Sequence, residues 1–64
     1  MKLDSIHSRI LNLLQKNARI SNTEIAKQVG ISSPAVAERI KKMEDLGVIS
    51  KYMAQVNYSA LGYG

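Results

Sequence analysis

The 64-residue chain is predicted to be mainly α, with three helices followed by a single β-strand. Three observations carry this reading. Apolar residues recur at three- and four-residue steps in separate runs up to Met43, the period of one helix face. Capping residues and glycines punctuate those runs: Asp4, Ser21 and Ser32 or Ser33 stand before them, and Gly30 and Gly47 follow the second and third. Beyond Gly47 the pattern gives way to VISKYMAQVN, rich in the β-branched and aromatic types that favour strands.

Composition narrows what such a chain can do. A domain of this length buries only about 60% of its unfolded surface. With no Trp and no Phe, its core must come from Ile, Leu, Val, Ala and Met. The absence of Cys excludes disulfides and thiolate metal sites. A single His, His7, leaves little basis for a histidine-rich metal site, and no cofactor is expected. No apolar run approaches the roughly 20 residues of a membrane-spanning helix, and the start, MKLDSIHSR, lacks the apolar stretch of a signal peptide. A soluble, cytoplasmic protein is the expectation. The net charge of +4 favours an anionic partner, with nucleic acid ahead of a membrane surface. Charge alone also fits mere solubility, so its placement has to decide.

The first helix is expected over Leu3–Lys16, with the Asp4 carboxylate capping free N–H groups of the first turn. Leu3, Ile6, Ile10, Leu13 and Leu14 share one stripe, flanked by Leu11, so this helix reads as core support. His7 borders the stripe, where a half-buried or solvated histidine is expected rather than a catalytic one. Asn17–Ile20 connect, with Ile20 plugging the core. Arg19 fits a phosphate contact or a solvated charge equally. Ser21 opens the second helix with a capping box, SNTE, in which Glu24 reaches back to the Ser21 N–H. Ile25, Ala26 and Val29 point inward, and Gly30 supplies a left-handed ending. About two turns long, this helix depends on packing. The third helix, over residues 33–46, has Pro34 in its first turn, an inward stripe of Val36, Ile40 and Met43, and a polar outer face. A connection of two or three residues joins two helices here, the arrangement called helix-turn-helix, whose second helix enters the DNA major groove.

Val48–Asn57 reads as a strand. Val48, Tyr52, Ala54 and Val56 share one face, and Ile49 and Met53 the other. A lone strand is a template for pairing, so a homodimer or higher homo-oligomer is expected through 48–57. Tyr58–Gly64 is a turn-rich tail. The chain thus divides into a helix-turn-helix unit, 1–47, and a strand with the start of a linker, 48–64.

These residues resemble the N-terminal domain of the leucine-responsive regulatory protein/AsnC (feast/famine) family. The matching runs are Leu3-Asp4-x-Ile6, Ile10-Leu11-x-Leu13-Leu14-Gln15 and Ala18-Arg19-Ile20-Ser21, then Glu24-Ile25-Ala26 and Val29-Gly30-Ile31-Ser32. Val36-x-x-Arg39-Ile40-Lys41, Met43-Glu44-x-x-Gly47-Val48-Ile49, Tyr52-x-Ala54 and Leu61-Gly62 complete them. Together they cover nearly the whole chain, and their order and spacing identify the family more than any single run. His7 departs from the pattern, standing where the family usually has an acid. The resemblance implies a winged-helix-like fold, binding to double-stranded DNA, and a following αβ domain that senses an amino-acid effector and forms oligomers. The chain ends where that domain would begin, which favours a segment cut at the domain boundary over a natural stand-alone reader.

For such an interface the sequence nominates two sets of residues. Ser21, Asn22 and Thr23, at the start of the second helix, would meet phosphate through free N–H groups and the helix dipole. Arg39, Lys42 and Lys51 are further phosphate candidates, although each single cation fits a solvated surface charge about as well, and Arg39 fits a pairing with an acid such as Glu44 better. Ser32, Ser33, Pro34, Ala35, Ala37, Glu38 and Lys41 occupy the reading end of the third helix. Lys41 could donate to guanine and Glu38 accept from cytosine. The others are short, so sequence preference should be modest and lean on DNA shape and methyl contacts.

Two other classes compete. Protein-contact modules share this architecture but lose the basic face, and here Glu38 and Asp45 mix with Lys41 and Lys42. An enzyme is the weakest reading: the acids serve as caps or surface charges, and 64 residues leave little room for a substrate pocket. Siroheme decarboxylase subunits resemble the same family at their N-termini, which would place any such chemistry outside this segment.

Overall fold

The computed structural model describes residues 4–53, 60 and 62. Its three helices are α1, Ser5–Lys16; α2, Asn22–Val29; and α3, Ser33–Asp45. Each begins where a side chain can satisfy N–H groups that the helix leaves open. Asp4 Oδ1 accepts from the Ile6 and His7 N–H groups at 3.0 and 3.1 Å. Ser21 Oγ accepts from Glu24 N–H at 3.1 Å, and Ser32 Oγ from Ala35 N–H at 3.2 Å. The reciprocal capping box falls on α1 rather than on α2, because His7 Nδ1 accepts the Asp4 N–H at 3.3 Å. On α2 the Glu24 carboxylate instead accepts from the Gln28 side-chain amide at 3.2 Å, one turn along the same face.

Glycine terminates α2 and α3, as expected. Gly30, at φ +77°, lets the N–H groups of both Gly30 and Ile31 reach the Ala26 carbonyl. Gly47, also at φ +77°, closes α3 in a Schellman motif: Val48 N–H donates to Met43 O at 2.8 Å and Gly47 N–H to Glu44 O at 3.0 Å. Leu46 is the cap, so the helix stops one residue short of the expected 46.

The core lies where the three helices meet. Ile10 of α1, Ile25 of α2, and Val36 and Met43 of α3 are fully buried, joined by Ala26 and Val29. Ile6, Leu13, Leu14, Ile20 and Ile40 pack against it partly buried, as do Ile31 from the turn and Ile49 from beyond α3. α2 and α3 form the closest pairing, and α1 touches both. At the close approach of α2, Ala26 is 7% exposed, consistent with a small residue beside a crossing helix. Leu3 lies outside the described residues.

The expected strand is not found. Val48–Met53 forms no strand, and residues 54–57 lie outside the described residues. Backbone pairing explains the first part: the Val48 and Ile49 N–H groups are both taken by the Met43 carbonyl at the end of α3. No second strand is present among the described residues to complete a ladder. Ile49 and Met53, expected on one face, also differ in environment, since Ile49 packs on the core while Met53 is 68% exposed. Among the described residues, no helix is long and apolar enough to cross a membrane.

Candidate nucleic-acid interface

The turn Gly30–Ser32 holds α2 and α3 together and leaves one end of each accessible. At the start of α2, Ser21, Asn22 and Thr23 are exposed, with the Ser21 hydroxyl oxygen engaged as a cap. At the start of α3, Ser32 and Pro34 are exposed, whereas Ser33 and Ala35 are half-buried. Ala37, Glu38, Lys41 and Lys42 continue the exposed face, and Lys51 is exposed beyond the helix. The short residues therefore line the first turns of α3, and charge enters from Glu38 onward.

The cations are not equivalent. Lys41 Nζ donates to Asp45 at 3.2 Å, an i, i+4 pair between two exposed side chains, worth at most about 1 kcal/mol. Such a pair reorganises readily when a stronger acceptor arrives. Lys27, Lys42 and Lys51 make no ion pair among the described residues. Arg39 is committed internally. Its Nη1 donates to both Asp4 oxygens at 3.1 Å and lies 3.3 Å from His7 Nδ1. Its acid partner is Asp4 and not Glu44. Residues five apart on a helix sit about 140° around the axis, too far to meet, and the Glu44 carboxylate accepts instead from the Tyr52 hydroxyl at 2.9 Å.

These contacts set two titrations. The Asp4 carboxyl is lowered from 3.8 to about 2, first by the His7 backbone N–H and then by the Arg39 hydrogen bond. Burial, reinforced by the bond to Glu44, raises the Tyr52 hydroxyl above its ordinary 10.0. Sequence reasoning missed three supporting residues. Asp4 was legible as a cap but not as the partner of Arg39, 35 positions away. His7 is buried, where a half-buried or solvated residue was expected. Arg9 donates to the Gln28 carbonyl near the end of α2, fixing α1 to α2 and placing a cation where the helix dipole favours one.

Among the described residues no group of three His, Asp or Glu side chains comes together to hold a metal. An open hollow of about 710 Å³ lies beside the end of α1, between Leu11, Leu14 and Arg19 on one side and Ile49, Tyr52 and Met53 on the other.

Comparison with known proteins places this arrangement. The winged helix-turn-helix DNA-binding family matches residues 3–50. The leucine-responsive regulatory protein of Rhizobium meliloti is 49% identical over 63 residues, which cover 98% of this chain and 40% of that protein. The solved structure of Bacillus subtilis LrpC superposes with a TM-score of 0.88 at 37% identity, covering 97% of this chain and 44% of that one. Escherichia coli AsnC does so with a TM-score of 0.83 at 35% identity, covering 98% and 42%. The chain spans about two fifths of the length of these relatives. It belongs to the winged helix-turn-helix DNA-binding family, in the form carried by regulators of the leucine-responsive/AsnC type.

Proposed function

We propose that this chain reads double-stranded DNA as the DNA-binding domain of a transcription regulator, with α3 in the major groove. The observation that carries the reading is the pairing of α2 and α3 across Gly30–Ser32, which buries Val36 and Met43 while Pro34, Ala37, Glu38 and Lys41 stay exposed on α3. In this reading Ser21, Asn22, Thr23 and Ser32 present N–H groups and hydroxyls to phosphate, and Lys42, Lys51 and Arg39 contribute positive charge. Lys41 and Glu38 reach base edges, while Ser33, Pro34, Ala35 and Ala37 supply close, mostly apolar contact. Preference among sequences is modest and rests substantially on DNA shape.

Self-association accompanies the reading. Leu46, Val48, Tyr52 and Met53 are 54%, 43%, 46% and 68% exposed, an apolar group that pairing of 48–57 with a second copy would cover. Two copies would then present their α3 helices to half-sites about one helical turn apart. The Rhizobium meliloti relative is leucine-responsive by name. We assign sensing of an amino-acid effector to the part of such proteins that lies beyond the stretch matched here.

A mobility shift on duplex DNA at several salt concentrations tests the function. Binding through several phosphates weakens steeply as salt rises, by roughly a thousandfold or more between 50 and 200 mM for six contacts. Absence of binding at 50 mM salt would overturn the reading. A footprint demanding four or more strictly required base pairs per half-site would overturn its modest selectivity alone.

A further inference from the structure

Arg39 is half-buried on α3 and, among the described residues, is the one DNA-contact candidate whose side chain is fixed by another element. The fixing is one-sided. Among the described residues only Nη1 is engaged, by both Asp4 oxygens, with the His7 ring nitrogen 3.3 Å away. Nε and Nη2 have no acceptor among the described residues, and the side chain is 29% exposed. A guanidinium carries five N–H donors in a planar fork. With Nη1 occupied, the Nε–Nη2 edge is left as a parallel pair of donors, the geometry that matches two oxygens of a phosphate.

Asp4 does not float as a loose counterion. The Ile6 and His7 N–H groups hold its Oδ1 at 3.0 and 3.1 Å, so the carboxylate is pinned to the start of α1 before it reaches Arg39. Pinning removes rotamer freedom that a long arginine otherwise loses on binding.

We propose that Asp4 is a positioning residue for DNA binding, holding Arg39 by Nη1 so that its Nε–Nη2 edge meets a backbone phosphate. The assignment rests on the DNA-reading function above. It gives α1, otherwise a core support, a part in the interface, and makes Asp4 an acid whose removal weakens binding to an anion.

The test compares four variants of the chain on one duplex between 50 and 200 mM salt. Asp4→Ser keeps a side chain of equal capping rank and removes the reach to Arg39. Arg39→Gln removes the contact itself. The double variant tests whether the two act as one, and Glu44→Gln matches the charge change away from Arg39. Asp4→Ser is expected to bind more weakly than Glu44→Gln. Its slope of log K against log salt should fall by about 0.9, so that its deficit narrows roughly threefold across this salt range. In the Arg39→Gln background it should add nothing. Helix content by circular dichroism accompanies each measurement. If Asp4→Ser loses helix, Asp4→Asn replaces it; that variant keeps the cap and a neutral acceptor, and should move the slope the same way by less. An unchanged slope, additive losses, or binding tighter than Glu44→Gln would overturn the proposal while leaving the DNA-reading function standing. A wild-type chain that binds no duplex would overturn both.

Discussion

Replacing Gly30 by Ala should destabilise the chain by about 1 kcal/mol without altering its contacts. Gly30 sits at φ +77°, ψ +32°, between the two helices of the motif. A Cβ built there meets nothing within 4 Å, so no steric clash contributes. What remains is the conformational cost of a left-handed L-residue, about 1–2 kcal/mol. It is partly offset by roughly 0.4–1 kcal/mol from the stiffer unfolded chain. In a domain of this size 1 kcal/mol lowers the melting temperature by about 4–8 °C. Gly30→Asn should cost less, since Asn tolerates this region better. Thermal melts followed by circular dichroism measure both, and at a temperature where both variants are folded their DNA affinities should match the wild type. An alanine variant as stable as the wild type would show that the turn does not require the left-handed residue. A loss above about 3 kcal/mol would mean a clash that the open space around Gly30 does not provide.

Three further outcomes follow from the same geometry. Ile25→Ala, at a fully buried position, should cost about 2–5 kcal/mol in urea unfolding, a large share of the roughly 3–10 kcal/mol a chain of this length holds. Acid should destabilise the chain as pH falls from about 4 through about 2. Asp4 binds its proton more weakly when folded than its ordinary value of 3.8 implies, so the unfolded state takes up protons first and its contribution is complete only above that value. Urea midpoints across that range should drop further for the wild type than for Asp4→Asn. On DNA, Lys41→Ala should relax preference at one base position at a cost of about 1–3 kcal/mol, whereas Lys42→Ala should weaken all sequences alike and lower the salt slope by about 1.

What could be read from the sequence and what could not divide along a physical line. Helix starts and stops are local chemistry: a carboxylate or hydroxyl two or three residues before the N–H it serves, or a glycine where φ must be positive. Asp4, Ser21, Ser32, Gly30 and Gly47 all act within a few residues of themselves. The inward stripes were likewise legible, because a 3.6-residue period decides which side faces the core. Side chains that join distant elements were not. Local pattern suggested an acid partner for Arg39 on its own helix, Glu44, and the actual partner at the start of α1 becomes visible only once the helices cross. Arg9 and the Gln28 carbonyl are the same case. SNTE was a sound local pattern for a capping box, yet Glu24 has Gln28 one turn away as a competing partner. The strand expected over 48–57 is absent from its described part for a different reason. Val48–Met53 has strand-like residues, but a strand is defined by pairing, and its first two N–H groups close α3 instead. In the candidate interface, exposure of Pro34, Glu38 and Lys41 followed from the helical period, whereas the engagement of Lys41 by Asp45 and of Arg39 by Asp4 did not.

Entry of α3 into the major groove, as proposed, can be checked by methylation interference on a duplex that the chain selects from random sequence. Guanine N7 lies in the major groove and adenine N3 in the minor groove. Major-groove entry predicts that N7 methylation within each half-site blocks binding, and that N3 methylation there does not. Interference confined to adenine N3, with N7 methylation tolerated throughout, would contradict it.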